Sequence, residues 1–99
     1  MSLKVVTEFL QLATVRVRAY IYDDDDALVN PTTSITIDIW DSAGTKQVNG
    51  VAMTPVSTGI YEYYYQTTAA SAEGNWRGIV WATDGTYVSE GSFAFKVKG

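Results

Sequence analysis

The sequence predicts an all-β fold, a β-sandwich of about seven antiparallel strands, and three observations lead to this class. Its 99 residues are the length of one sandwich domain. Seven Tyr, three Trp and three Phe accompany many Val, Ile and Thr residues, and such side chains suit a pleated, half-buried surface. Turn signals recur at the spacing of about 8–12 residues that is typical of sandwiches. We therefore expect a single domain over residues 1–99, with residues 1–3 also interpretable as an added leader.

The first half of the chain predicts three strands separated by polar turns. Residues 3–9 supply the first strand. Apolar and polar side chains alternate from Val15 to Tyr22 and from Ile35 to Trp40, which indicates strands with one buried face. An acidic loop follows the second strand, and a turn that ends in Gly44 follows the third, where glycine suits a left-handed conformation.

The second half predicts four more strands, at residues 46–55, 60–67, 76–83 and 87–97. The first of these is weak and edge-like, and Asn49-Gly50 interrupts it. The last two are joined at Asp84-Gly85, a dipeptide typical of β-hairpins. Small residues between 68 and 73 form a connection that is too short for a stable helix, although one helical turn is an alternative.

Composition excludes several classes of function. The formal net charge is −4 and the seven Lys and Arg residues are scattered, whereas a nucleic-acid surface needs clustered cations. No apolar run is long enough to span a bilayer, so we expect no membrane insertion. The absence of Cys and His rules out disulfides, thiolate zinc sites and Ser-His triads. We therefore expect no enzymatic activity and no required cofactor, since nothing places two carboxylates across a cleft.

Three motifs occur in an order found in a known family. A strand ends in the Asp-x-x-Gly turn that begins at Asp41, and Gly-x-Tyr and Gly-x-Trp motifs follow at Gly59 and Gly74. From about Val15 to Val97 the chain resembles macroglobulin-type and other bacterial or viral immunoglobulin-like domains, which are fibronectin III-like sandwiches. The resemblance implies a module of a secreted, cell-surface or virion protein that acts as a spacer, in adhesion or in assembly, and it implies no catalytic residues. The chain lacks the Cys…Trp…Cys core of antibody domains.

The loop after the second predicted strand contains four consecutive acidic residues: Asp23, Asp24, Asp25 and Asp26. With Asn30 or Asp84 nearby, they would offer the oxygen ligands that Ca²⁺ prefers. The run lacks the central Gly and terminal Glu of the helix-loop-helix calcium loop, and adjacent side chains point in different directions. A solvated acidic turn that interrupts strand pairing and aids solubility is the simpler interpretation, with a weak Ca²⁺ site as the alternative.

Three large apolar side chains are predicted to share an outward sheet face: Trp40, Ile79 and Trp81. They alternate with core-facing positions on the strands 35–40 and 76–83, which are neighbours in an immunoglobulin-like sheet. An exposed patch that contains Trp is typical of an interface, so we expect these residues to contact a second copy or a neighbouring domain. A register shift or bulge would instead turn Trp81 inward, with Trp40 folded over the sandwich edge.

The aromatic strand 60–67 predicts core positions at Tyr61, Tyr63 and Tyr65. Glu62 then faces solvent, where Arg16 or Arg18 of the neighbouring strand can pair with it. The sequence thus predicts a structural assembly or spacer module that acts through protein contacts. The alternative is a ligand-binding module that holds carbohydrate on exposed aromatic rings, or Ca²⁺ at the acidic loop.

Overall fold

Two antiparallel sheets of four strands each, packed face to face, make up most of the described chain. The computed structural model describes residues 2–11, 14–67 and 73–97. The strands are β1 (Ser2–Gln11), β2 (Thr14–Tyr22), β3 (Ser34–Trp40), β4 (Lys46–Ala52), β5 (Thr54–Ser57), β6 (Ile60–Gln66), β7 (Gly74–Asp84) and β8 (Tyr87–Val97). The predicted all-β sandwich is confirmed. The described residues include no helix of the length and apolarity needed to cross a membrane, and the helical turn considered for 68–73 falls almost wholly on residues 68–72, outside the described residues.

The first sheet has the strand order β1-β2-β6-β5 and the second has the order β4-β3-β7-β8. The last hairpin lies one residue later than the sequence predicts. Its two-residue turn is Gly85-Thr86, flanked by the pair Asp84 and Tyr87. Gly85 has a φ of 64°, a left-handed conformation that glycine adopts without strain, so the glycine sits at the first position of the turn.

The predicted strand 46–55 is in fact two strands in different sheets. β4 pairs with β3 in the second sheet, whereas β5 pairs with β6 in the first. Met53 lies between them with its side chain 5% exposed, and its N–H donates to the carbonyl of Ile35. Local alternation does not reveal this crossing, because Val48 is the one buried residue of β4 and all four residues of β5 are exposed, so neither strand shows a clear period of two. Eight strands therefore replace the seven predicted.

The core lies between the sheets and follows the predicted alternation. On β2 the four inward side chains are fully buried: Val15, Val17, Ala19 and Ile21. From the other sheet Trp76 is 2% exposed, and its ring centroid lies 5.5 Å from that of Tyr65 and 5.8 Å from that of Phe95. Tyr61 and Tyr63 also pack against this core, as predicted. Burial of these aromatic rings is a main contribution to the stability of the sandwich.

Candidate protein-contact surface

The outer face of the second sheet carries the three candidate interface residues. In the β3–β7 register, Thr36 opposes Trp81, Asp38 opposes Ile79 and Trp40 opposes Arg77. Directly opposed residues of an antiparallel pair share a face, and the intervening β3 residues are buried in the core. Trp40, Ile79 and Trp81, here called the outer patch, are each partly exposed on this face. The β3–β7 pairing has no register shift, so Trp81 does not turn inward.

Asp38 forms the polar centre of this face. Its Oδ2 accepts a hydrogen bond of 2.9 Å from the indole Nε1–H of Trp81, and its Oδ1 accepts one of 2.6 Å from the N–H of Gly50. The ammonium of Lys46 lies 3.4 Å from the same Oδ1. The side chain points away from the core, yet Asp38 is only 8% exposed, because these neighbours surround it. Asp38 and Trp40 are two residues apart on β3, so they lie on the same face. The sequence alone could therefore have identified Asp38 as a neighbour of the outer patch.

The Asp38 carboxylate is held in its ionised form. Partial burial acts to raise its pKa, but the hydrogen bonds from Gly50 and Trp81 and the charge of Lys46 together outweigh burial and lower the pKa below the ordinary 3.8. A carboxylate with three partners of this kind is a structural acceptor. Its oxygens are engaged within the domain instead of pointing toward a substrate.

Trp40 is held between two cations. Lys46 of β4 places its Nζ 5.1 Å from the centroid of the Trp40 ring, and Arg77 of β7 places its Cζ 5.4 Å from the same ring. Since β4 and β7 flank β3, a cation from each neighbouring strand covers the indole. The ring is therefore fixed in orientation, and the surface around it combines apolar area with positive charge.

A shallow open groove of about 300 Å³ runs beside the outer patch. Trp40, Arg77, Ile79 and Ser92 line it, and the backbone at Gly78 forms part of its floor. On the core side, the Phe93 ring lies directly beneath Gly78, where a Cβ would overlap it. The groove is at the small end of the range for ligand pockets and is not enclosed, so it suits a protruding side chain of a partner better than a whole small-molecule substrate.

The acidic loop is a self-contained turn in the structure. Oδ1 of Asp23 accepts hydrogen bonds of 2.8 Å from the N–H of Asp25 and 3.0 Å from the N–H of Ala27. Among the described residues, no three acidic, His or Cys side chains are grouped so as to hold a metal ion. The two residues considered as additional ligands are engaged elsewhere, since Asn30 accepts from the N–H of Gly59 and Asp84 accepts from the hydroxyl of Thr32.

A second aspartate has a similar turn-forming role. Oδ1 of Asp41 accepts hydrogen bonds of 2.9 Å from the N–H groups of Ala43 and Thr45. The bond from Thr45 is the largest influence on its pKa, and together with the other donors it lowers the pKa below 3.8 against the opposing effect of burial. This side chain closes the Asp-x-x-Gly turn, in which Gly44 has a φ of 88°.

The outer face of the first sheet is more polar. Arg18 and Glu62 form an ion pair of 3.0 Å, as the sequence predicts, and Arg16 pairs with Glu8 at 2.6 Å. Tyr64 is half exposed beside them. Ion pairs of this type help to set the register of neighbouring strands and keep a sheet face polar. The outer face of the first sheet is therefore charged, whereas that of the second sheet carries the large apolar side chains of the outer patch.

No known protein family, curated protein or solved structure matches the chain significantly.

Proposed function

We propose that the chain is an immunoglobulin-like β-sandwich domain that serves as a non-enzymatic structural module of a surface or virion protein. It contacts a neighbouring protein through the outer patch. The observation that carries this proposal is the grouping of Trp40, Ile79 and Trp81 on two adjacent strands, around the buried Asp38. Surface tryptophans that are fixed in orientation are typical of interaction hot spots, because little side-chain entropy is lost when a partner covers them.

The strand order supports the immunoglobulin-like assignment. The sheet β1-β2-β6-β5 has the order of the A-B-E-D sheet of immunoglobulin domains. The sheet β4-β3-β7-β8 has the order of the C-F-G sheet with one additional strand next to strand C. The crossing at Met53, which carries the chain from the second sheet to the first, produces this arrangement.

The shape of the sandwich supports a spacer role. β1 begins opposite Tyr22, and its residues Leu3 and Val5 contact Gly91 in the half of β8 that follows the β7–β8 turn, so β1 begins toward that end of the sandwich. β8 finishes opposite Gly74, at the other end. The domain measures 42 Å along its long axis and 24 Å and 17 Å across it. Chain segments joined to these two strands would leave from opposite ends, as in modules strung in series.

The same geometry favours protein contact over carbohydrate stacking. A sugar stacks on an open aromatic face, whereas Lys46 and Arg77 lie over the ring of Trp40. The indole N–H of Trp81 is already donated to Asp38. The two carboxylates with lowered pKa values, Asp38 and Asp41, serve as acceptors for backbone and indole donors, which supports a role without catalysis.

The test is the molar mass of three proteins, measured by light scattering over a hundredfold range of concentration. Ile79→Lys places a charge in the outer patch, and Val6→Lys is the matched control, because Val6 is 43% exposed on the outer face of the other sheet. We expect the wild type and Val6→Lys to reach a larger mass than Ile79→Lys at equal concentration, with all three equally folded by circular dichroism. Equal masses for the three proteins, together with saturable quenching of Trp fluorescence by oligosaccharides, would instead establish the ligand-binding alternative.

A further inference from the structure

We propose that β8 is a homodimer interface, at which two copies of the chain pair their β8 strands antiparallel about a twofold axis through Phe93. The contact joins the two second sheets into one continuous sheet. The contact lies at the sheet edge, next to the outer patch: Trp81 opposes Glu90 and Ile79 opposes Ser92 in the β7–β8 register. Its pairing uses the backbone and charges of β8, so it does not depend on the proposed use of that patch.

β8 is the longest uninterrupted edge in the described part of the chain. It occupies one edge of the second sheet, and all 11 of its residues pair with β7 without a register shift. The other edge strands are modified in ways that discourage pairing with another chain. β4 has two register shifts against β3, β5 has four residues including Pro55, and the β1 register shifts between Phe9 and Gln11. A regular edge strand without such protection is a template for a further strand.

The charges of β8 identify the partner as a second copy of the same strand. Glu90 and Lys96 are both exposed on the outer face, and each lies three positions from Phe93. A twofold axis at Phe93 therefore places Glu90 of each copy opposite Lys96 of the other. Within β8, no other axis pairs both charges, and an axis at either charged residue would bring like charges together.

Small side chains fill the outer face between these two ion pairs. Ser92 and Ala94 are exposed and would lie opposite each other across the axis, so no bulky side chain keeps the strands apart. On the inner face the axis passes through Phe93, which is already buried in its own core. In the facing sheet, Leu3 and Val5 of β1 pack against Gly91 and support the strand from beneath. The backbone pairing thus requires no rearrangement of the sandwich.

A charge-exchange series tests the pairing. Glu90→Lys and Lys96→Glu each place like charges opposite each other twice per dimer, so each should weaken self-association by roughly tenfold or more. The double variant restores opposite charges and should dimerise like the wild type. The two single variants, when mixed, should form a heterodimer, because each charge of one chain then faces its opposite on the other. Asp25→Lys, which makes the same change of net charge as Glu90→Lys in an exposed loop, is the control and should dimerise normally.

The measurement is sedimentation velocity of each protein, both in the wild-type chain and in the Ile79→Lys background. In the Ile79→Lys background, where the outer-patch contact is removed, the expected result is a shift from the 10.9 kDa monomer to twice that mass for the parent chain, the double variant, the control and the mixture. Without Ile79→Lys the same four samples should reach a larger mass, because the outer patch adds its own contact. In the Ile79→Lys background the dimer should persist, because the edge contact does not use the outer patch. A monomeric Ile79→Lys chain would overturn the β8 dimer while leaving the outer patch as the contact, and equal dimerisation by both single variants would overturn the proposed register.

Discussion

The indole N–H of Trp81 and the carboxylate of Asp38 form a hydrogen bond of 2.9 Å that runs diagonally across the β3–β7 pair. In the β3–β7 register Asp38 opposes Ile79, and Trp81 opposes Thr36. The indole of Trp81 therefore bonds not to the residue directly opposite but to Asp38, the next residue of β3 on the same face. The same carboxylate also accepts from the backbone of Gly50 on β4. One aspartate thus ties together three strands of the second sheet and fixes the orientation of a tryptophan on its surface.

Asp38→Ala should lower the free energy of unfolding by about 1–3 kcal/mol, because the Gly50 N–H and the Trp81 indole lose their acceptor in a poorly solvated position. Urea unfolding followed by circular dichroism measures the change. Asp38→Asn retains one acceptor oxygen and should cost less than Asp38→Ala. Equal stability of the alanine variant and the wild type would show that water replaces the carboxylate at no cost.

The Trp81–Asp38 bond itself can be isolated with a double-mutant cycle. Trp81→Phe keeps an aromatic ring on the outer face but removes the indole donor, and should destabilise the domain by about 1–2 kcal/mol. Combined with Asp38→Ala, the loss should be smaller than the sum of the two single losses, because both changes remove the same hydrogen bond. Additive losses in urea unfolding would mean that the two side chains act independently.

Stability should fall in acid. The folded-state pKa values of Asp38 and Asp41 lie below the ordinary 3.8, so the unfolded chain takes up protons at a higher pH than the folded chain does. The resulting stabilisation is fully present above about pH 4 and is lost as the pH falls through the lowered folded-state values. Melting temperatures measured from neutral pH down to about pH 2 should therefore drop most steeply below pH 4, and Asp41→Asn should show a shallower drop. A melting temperature that rises on acidification below pH 4 would contradict both lowered pKa values.

Most of the fold could be predicted from periodicity. The alternation on β2 identifies the four buried residues from Val15 to Ile21, and the aromatic alternation identifies Tyr61, Tyr63 and Tyr65 as core positions. The crossing at Met53 could not be predicted, because it depends on which sheet each neighbouring strand joins. Pairing partners are a property of the assembled sandwich, whereas periodicity is local to each strand.

The outer patch could be predicted in position but not in detail. Alternation places Trp40, Ile79 and Trp81 on one face, and the β3–β7 register brings them together. The role of Asp38 as their common centre depends on the approach of Gly50 and Lys46 from β4, across two irregularities of the β3–β4 register. One of the two irregularities falls at Asn49-Gly50, where the sequence predicts an interruption and where Gly50 has a φ of 60°. The contact of that bulge with Asp38 depends on strand pairing, which local sequence does not specify.

Gly78 should tolerate no side chain in the present core. A Cβ at this position would overlap the Phe93 ring, so Gly78→Ala should destabilise the domain by about 1–3 kcal/mol through overpacking. Phe93→Leu shortens the facing side chain, and the double variant should be more stable than the sum of the two single losses predicts. Urea unfolding of the four proteins in this cycle measures the coupling. Full stability of Gly78→Ala alone would show that the ring can move aside at no cost.

The acidic loop should behave as a turn and not as a calcium site. Asp23→Ala removes the acceptor of two backbone hydrogen bonds and should lower the free energy of unfolding by about 1 kcal/mol, by analogy with loss of a helix cap. Asp25→Ala is the matched control and should change little, because Asp25 contributes its backbone N–H to this turn and keeps it. Thermal unfolding of the wild type should give the same melting temperature in millimolar Ca²⁺ and in chelator, since no three described acidic residues converge. A rise with Ca²⁺ that chelator reverses, and that Asp25→Ala weakens, would instead mean that the loop rearranges to bind the ion.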